Sequence, residues 1–253
     1  MNNIISFFGG DHKCGTGMLS QCVAERIAAV MPRLKLLLIH TNGRLSAEYS
    51  PTVNESMDSI RPYLSDRLLD PDETFEKSRW KDNLHIISGA RELGSGTIYD
   101  PEMTRYFLSV LRTRFDLILC DSGAEIEHGL SLGSLLSSDY LYLVITQSEC
   151  AIRNYEFQAG ILNKLQISAN YFVINKFDKN NPNNNRYIQE RLNMDSEKVL
   201  PVRLSEYGTR AEYDERSLVN YPGTGFRKDI DAIALRILED TGIRMSPKRE
   251  IYG

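Results

Sequence analysis

The residues best placed to do chemistry form one stretch, Gly10-Asp11-His12-Lys13-Cys14-Gly15-Thr16-Gly17, lying between an apolar run that ends at Phe8 and a segment of helical periodicity. A glycine-rich turn that opens a helix directs backbone N–H groups inward, and the helix end adds partial positive charge, so the ligand such a turn suits is a phosphate. Its usual form is G-x-x-x-x-G-K-[ST]. Only the glycines Gly10 and Gly15 match it; Thr16 stands where the phosphate lysine belongs and Gly17 where the Mg²⁺-binding hydroxyl belongs. Without the lysine the turn keeps its N–H donors but loses the mobile cation that follows charge onto a leaving phosphate. Lys13, inside the turn, could partly substitute. A plain strand-turn-helix whose glycines merely permit positive φ accounts for the same residues equally well.

The elements that must hold this turn are legible on either side of it. Ile4-Ile5-Ser6-Phe7-Phe8 has the density of a buried strand, and Met18, Leu19, Cys22, Val23, Arg26, Ile27 and Val30 recur at helical spacing. Further strands are expected at residues 34–39, 84–88, 115–121, 140–146, 171–175 and 199–202. Between them, helices are expected at 57–68, from an Asp100 cap and Pro101 to about Arg114, at 149–165 and at 226–241. The cluster Asn180-Asn181-Pro182-Asn183-Asn184-Asn185 reads as a solvated loop. Continuous apolar strands alternating with helices predict an α/β fold, a mostly parallel, doubly wound sheet with helices on both faces, as one domain over residues 1–253. Ligands of such sheets bind beyond the strands' carboxyl ends. That rule gathers the glycine turn, His40 to Gly43, Asp121-Ser122-Gly123 and Asn175-Lys176-Phe177-Asp178 at one rim.

Composition narrows the classes. A chain of 253 residues, 42% hydrophobic and 25% charged, is ordinary for a soluble globular protein. No apolar stretch approaches a membrane span, and no signal peptide is expected at the start. Cys14, Cys22, Cys120 and Cys150 are scattered, which implies a reduced, cytoplasmic setting with neither a disulfide framework nor a zinc ribbon. The net charge of −4 argues against DNA as the main partner.

The order of glycine loop, Leu36-Leu37-Leu38-Ile39, Phe115-Asp116-Leu117-Ile118-Leu119-Cys120-Asp121 and Val173-Ile174-Asn175-Lys176 resembles the ParA/MinD class of P-loop proteins, the dimeric positioning ATPases. The resemblance covers nearly the whole chain, down to Val199-Leu200-Pro201, where the class commonly has a strand end that flanks the base. Cys14-Gly15-Thr16-Gly17, and the stretch from Asn83-Leu84-His85-Ile86-Ile87-Ser88-Gly89 to Phe115-Asp116, are similar to the CpaE/TadZ group of pilus-positioning proteins, which commonly lacks the catalytic lysine. The receiver-like N-terminal domain common in that group is not among these residues.

The resemblance implies a bound nucleotide, ATP or ADP, with Mg²⁺, contacted by residues 10–17, Asn175 and Pro201, with Asp121 linked to the metal. It also implies a homodimer and protein partners in a pilus, secretion or cell-positioning system. Position by position, the signature lysine that reaches the partner's nucleotide falls on Asp11, and the activating aspartate of the second strand falls on His40. Asp121, Gly123 and Asn175 are retained. The base side is therefore expected intact and the catalytic side dismantled, which predicts a pseudo-ATPase with little or no hydrolysis. An active ATPase using Lys13 and a scaffold with an empty pocket are the alternatives.

Each survivor also has a plainer reading. Asp121 could cap the turn after its strand, and Asn175 could be a turn asparagine. His12, His40 and His128 with Asp121 could form a divalent-metal site, although scattered rim histidines fit the spacing better. Asn175-Lys176-Phe177-Asp178 matches the N-K-x-D that reads guanine in GTPases; adenine remains the expectation. The tail from Ile243 to Gly253 is broken by Pro247 and has no apolar face, so no interfacial membrane helix is expected.

Overall fold

The structure is a computed structural model, and it describes residues 2–43, 49–50, 52–53, 55–90 and 98–244. Eight strands form one sheet: β1 (Ile4–Gly9), β2 (Leu36–His40), β3 (Arg79–Lys81), β4 (Leu84–Ile87), β5 (Leu117–Asp121), β6 (Tyr140–Ile145), β7 (Tyr171–Phe177) and β8 (Val199–Arg203). Their spatial order is β3-β4-β2-β5-β1-β6-β7-β8, and only the edge pair β3/β4 is antiparallel. The described helices are α1 (Thr16–Val30), α2 (Met57–Ser65), α3 (Pro71–Lys77), α4 (Pro101–Leu111), α5 (Gly129–Ser137), α6 (Glu149–Lys164), α7 (Asn185–Arg191), α8 (Gly208–Tyr213) and α9 (Thr224–Asp240).

Strand alternation explains the two covered faces. Ile5, Phe7, Leu36, Leu38, Leu117, Leu119, Tyr142 and Val144 point to one side, where α1 and α9 bury Leu19, Val23, Ile27, Ile230, Ile233 and Ile237 on them. Ile4, Leu37, Ile39, Ile118 and Cys120 point to the other, under Met57, Ile60, Phe107 and Leu108. Phe8, Leu143, Ile145 and Ile174 continue that side beneath Ile152, Leu162 and Ile188. Successive crossovers leave β1 toward β2 on one side and β5 toward β6 on the other, so the turn after β1 sits where the strand order reverses.

The sheet and its helices match the expected doubly wound architecture, with several local corrections. The polar stretch after residue 44 holds α3 and β3 besides α2; Asp70 caps α3 by accepting from the Asp72 and Glu73 N–H groups, an acidic start followed by proline. Helix α4 stops at Leu111 rather than near Arg114. The asparagine cluster is not loop throughout: the Asn184 side chain accepts from the Tyr187 N–H and Asn185 opens α7. Helices α5 and α8 occupy residues for which no element was expected. The tail from residue 245 onward, expected to lack an interfacial helix, lies outside the described residues. Among the described residues no helix is long and apolar enough to cross a membrane.

Candidate functional site

The glycine turn is built from both sides of the sheet. Gly9 N–H donates to the Gly123 carbonyl at 2.6 Å and Gly10 N–H to the Val144 carbonyl at 2.8 Å, which ties the turn to β5 and β6. Gly10 has to be glycine, because a Cβ there would meet Ile145 at 2.8 Å and Tyr155 at 3.0 Å. Cys14 points inward and is buried; burial pushes its thiol up to about 11, so it is a packing group rather than a nucleophile. Gly15, at φ 86, opens α1 with no side chain capping the first turn. A helix end without a side-chain cap keeps its N–H groups for an anion. Asp11 uses one donor of the turn already: its Oδ1 accepts the His12 N–H at 2.7 Å. His12 and Lys13 are exposed, and His12 Nε2 lies 3.7 Å from Glu125 Oε1.

Strand β7 grips the turn from the far side. Asn175 Nδ2 donates to the Cys14 carbonyl at 2.8 Å, and Lys176 Nζ to the Lys13 carbonyl at 2.8 Å. These bonds tie two carbonyls of the loop to β7. Beside them opens a cavity of about 370 Å³ lined by Gly15, Met18, Lys176, Arg203, Thr209 and Phe226, among others. Its lining mixes apolar side chains such as Met18, Leu19 and Phe226 with charged ones, Lys176, Arg203, Glu206 and Glu212. Asp178 is engaged elsewhere: its N–H donates to Gln147, its carboxylate accepts the Asn180 N–H, and it lines an adjoining cavity of about 770 Å³ that shares Arg203 and Leu204 with the first. Pro201, expected to flank the base, lines that second cavity as well.

The opposite side of the mouth is closed on itself. The parallel register of β2 and β5 sets His40 level with Asp121. His40 Nδ1 lies 3.0 Å from Asp121 Oδ2, Asn42 Nδ2 donates to the same oxygen at 2.8 Å, and the Gly123 N–H donates to Oδ1 at 3.3 Å. Asp121 and His40 are 1% and 2% exposed. Gly17 faces this pair, since a Cβ on it would stand 3.2 Å from Asp121 Oδ2.

A three-histidine metal centre does not form: among the described residues no three His, Cys, Asp or Glu side chains converge as metal ligands. His12 turns to Glu125, and His128 caps α5, its Nδ1 accepting the Leu130 N–H at 3.2 Å. Burial holds the His128 imidazole below its ordinary pKa, in the neutral form that can accept.

Residues that sequence reasoning missed lie behind Asp121. Ser122 and Ser134 hydroxyls meet at 2.7 Å, Ser131 donates to the Ser122 carbonyl at 2.8 Å, and Thr41 donates to the Asp121 carbonyl at 3.2 Å. All are buried. This hydroxyl network fastens α5 to the ends of β2 and β5; the signal for it was the run Gly129-Leu-Ser-Leu-Gly-Ser, too polar and too glycine-rich for an apolar helix.

A glycine turn opening a helix at the switch point of a mostly parallel sheet defines a P-loop NTPase-like α/β fold. No family model matches the sequence, and no curated protein matches it either. Solved structures do. The chain is similar to a ParA family ATPase from Chlorobium tepidum TLS, at 17% identity with a TM-score of 0.81, over 93% of this chain and 99% of that one. It is similar to the septum site-determining protein MinD of Pyrococcus horikoshii OT3, complexed with Mg-ADP, at 15% identity and a TM-score of 0.76, over 96% and 98%. The MinC:MinD cell division protein complex of Aquifex aeolicus gives 16% identity and a TM-score of 0.73, over 98% and 99%. The chain therefore has the fold of the ParA and MinD ATPases.

That fold implies a nucleotide with Mg²⁺, and the two fit differently. The turn, the first turn of α1 and the adjoining cavity offer N–H donors and walls for a nucleotide. For the metal, Gly17 has no side-chain oxygen to give and Asp121 Oδ2 already lies within hydrogen-bond distance of two side chains. Mg²⁺ takes a near-octahedral shell of oxygens. The residues around Asp121 do not fit it.

Proposed function

We propose that this chain is a ParA/MinD-like positioning or regulatory protein of the CpaE/TadZ type, a pseudo-ATPase that binds a nucleotide, ATP or ADP, and hydrolyses it little or not at all. The observation that carries this reading is the contrast at the mouth of the sheet. Donors and a base-sized cavity persist on the β7/β8 side, while Asp11, Thr16, Gly17 and His40 stand at the positions where the class places its catalytic and metal-binding groups. Hydrolysis needs a group that stabilises charge as it moves onto the leaving phosphate. Its removal costs a factor of roughly 10²–10⁴ in rate.

Function then lies in shape and partners. The neighbours include a MinD seen in complex with MinC. By analogy the chain acts as a homodimer that recruits proteins of a pilus, secretion or cell-positioning system, in the cytoplasm and without DNA as its main ligand. With Asp11 at the position of the trans lysine, an acidic group faces any paired triphosphates, so assembly is expected to depend weakly on nucleotide. The surface available for it runs from Ala124 to Leu132 and along α6, where Phe157 is 78% exposed beside a cavity of about 470 Å³.

The test is a titration with labelled ATP and ADP followed by a turnover assay, on the wild type and on Lys13→Ala. Binding without turnover in both supports the proposal. Turnover near ~1 s⁻¹, a common rate for working enzymes, that is lost in Lys13→Ala would establish an active ATPase with an atypical loop. Absence of binding would leave a scaffold with an empty pocket. Sedimentation with and without ATP should give the same mass.

A further inference from the structure

An ionised carboxylate has two oxygens and about four acceptor directions. At the end of β5 three of those directions are taken by groups of the chain itself, the His40 imidazole, the Asn42 amide and the Gly123 N–H. The donors are fixed by main-chain geometry rather than by chance rotamers. His40 is held level with Asp121 by the β2/β5 register, and the Thr41 N–H donates to the Asp121 carbonyl at 2.8 Å. Gly123, at φ 62, lets the segment after β5 pass so close that a Cβ on it would meet Asn42 Cβ at 2.6 Å. The amide of Asn42 is thereby pressed toward the carboxylate.

A divalent cation bound at Asp121 Oδ2, the oxygen that Gly17 faces, would have to displace the buried His40 donor and the half-buried Asn42 donor from it. Unmade buried hydrogen bonds are costly, and more so beside a charged group. Residue 17, being glycine, would offer the cation no hydroxyl ligand in return. We infer that His40 and Asn42 occupy Asp121 in place of Mg²⁺, so that the site takes a nucleoside diphosphate free of divalent cation and disfavours a triphosphate.

The preference for the diphosphate follows from charge. Each added phosphate brings negative charge that a bound cation would ordinarily offset, and here the position of the signature lysine carries the Asp11 carboxylate, which leaves Lys13 as the turn's own cation. Lys176 spends one of its three ammonium donors on the Lys13 carbonyl. This inference rests on the nucleotide reading above and adds the metal-free diphosphate to it.

Fluorescent mant-ADP and mant-ATP titrated into the full chain, in EDTA and in millimolar Mg²⁺, test it. The expected result is equal mant-ADP affinity in the two buffers within about twofold, and weaker mant-ATP in EDTA. Tightening by Mg²⁺ of ~10-fold or more overturns the inference, as does tighter mant-ATP in EDTA. A parallel electron paramagnetic resonance titration with Mn²⁺ alone separates the two readings. If mant-nucleotides fail to bind in either buffer, the nucleotide reading falls and the diphosphate assignment with it. The occupation of Asp121 is then judged by Mn²⁺: an undiminished free Mn²⁺ signal supports it, and a depletion that Asp121→Asn abolishes overturns it. In the other direction, combining His40→Asn, Asn42→Ala and Gly17→Thr frees Asp121 and supplies a hydroxyl. This variant should gain Mg²⁺ dependence of ~10-fold; a folded variant with no gain overturns the assignment of His40 and Asn42.

Discussion

The two sides of the mouth start from the same material, polar residues at the carboxyl ends of parallel strands, and arrive at opposite states. On the β7/β8 side, Asn175 and Lys176 spend their hydrogen bonds on carbonyls of the glycine turn, and a cavity remains beside them. On the β2/β5 side, His40, Asn42 and Asp121 bond to one another, and the buried His40 Nε2 is left without a hydrogen-bond partner. The difference lies in what each side chain finds within reach. Polar groups that grip backbone shape a site, whereas polar groups that satisfy each other close one. The side whose groups bond one another pins β2 to β5.

Breaking each side should therefore have different consequences. The largest effect on stability is expected from Asp121→Ala, which takes the acceptor from the buried His40 and the half-buried Asn42. A loss of about 3 kcal/mol in urea unfolding is expected, with nucleotide affinity changed little in the folded fraction. A loss below ~1 kcal/mol would mean that the carboxylate holds nothing together.

Gly15→Ala comes next. Residue 15 is at φ 86, and an added Cβ would stand 2.7 Å from Asn175 Nδ2, so strain and lost contact with β7 combine. The expected cost is about 2 kcal/mol, together with loss of nucleotide binding, since the turn and the cavity share this residue. Asn175→Ala removes one neutral buried hydrogen bond and should cost about 1 kcal/mol. Its diagnostic is a drop in nucleotide affinity larger than that of Asp121→Ala; the reverse order would invert the comparison. The smallest effect on stability is expected from Lys13→Gly, at an exposed position with φ 61, where glycine relieves strain and the change should be neutral or stabilising by up to ~1 kcal/mol.

The sheet was legible because buried parallel strands are written as continuous apolar runs, Leu36 to Ile39 and Leu117 to Cys120 among them, and because the turn after β1 carries its glycines in order. Helix α5 was not, since Gly129, Ser131, Gly133 and Ser134 lack helical propensity and an apolar stripe. They form a helix because close approach demands small residues: a Cβ on Gly133 would meet the Pro101 carbonyl at 2.5 Å. At the site, the sequence placed the turn, Asp121 and Asn175 at one rim but could not pair His40 with Asp121, a contact across 81 positions set by sheet register. Nor could it separate Asp178 and Pro201 from the turn, because which face of an edge strand looks into which cavity depends on β7 and β8 lying side by side. The alternation of His40 with Asp121 at equal strand ends was the available signal.

Hydrogen exchange measured with ADP and Mg²⁺ present, against the unliganded chain, tests the contrast most directly. Slowed exchange is predicted at residues 10–19 and 203–212, and none at 40–43 or 121–123. Equal slowing on both sides, dependent on Mg²⁺, would contradict it and restore a working metal site at Asp121.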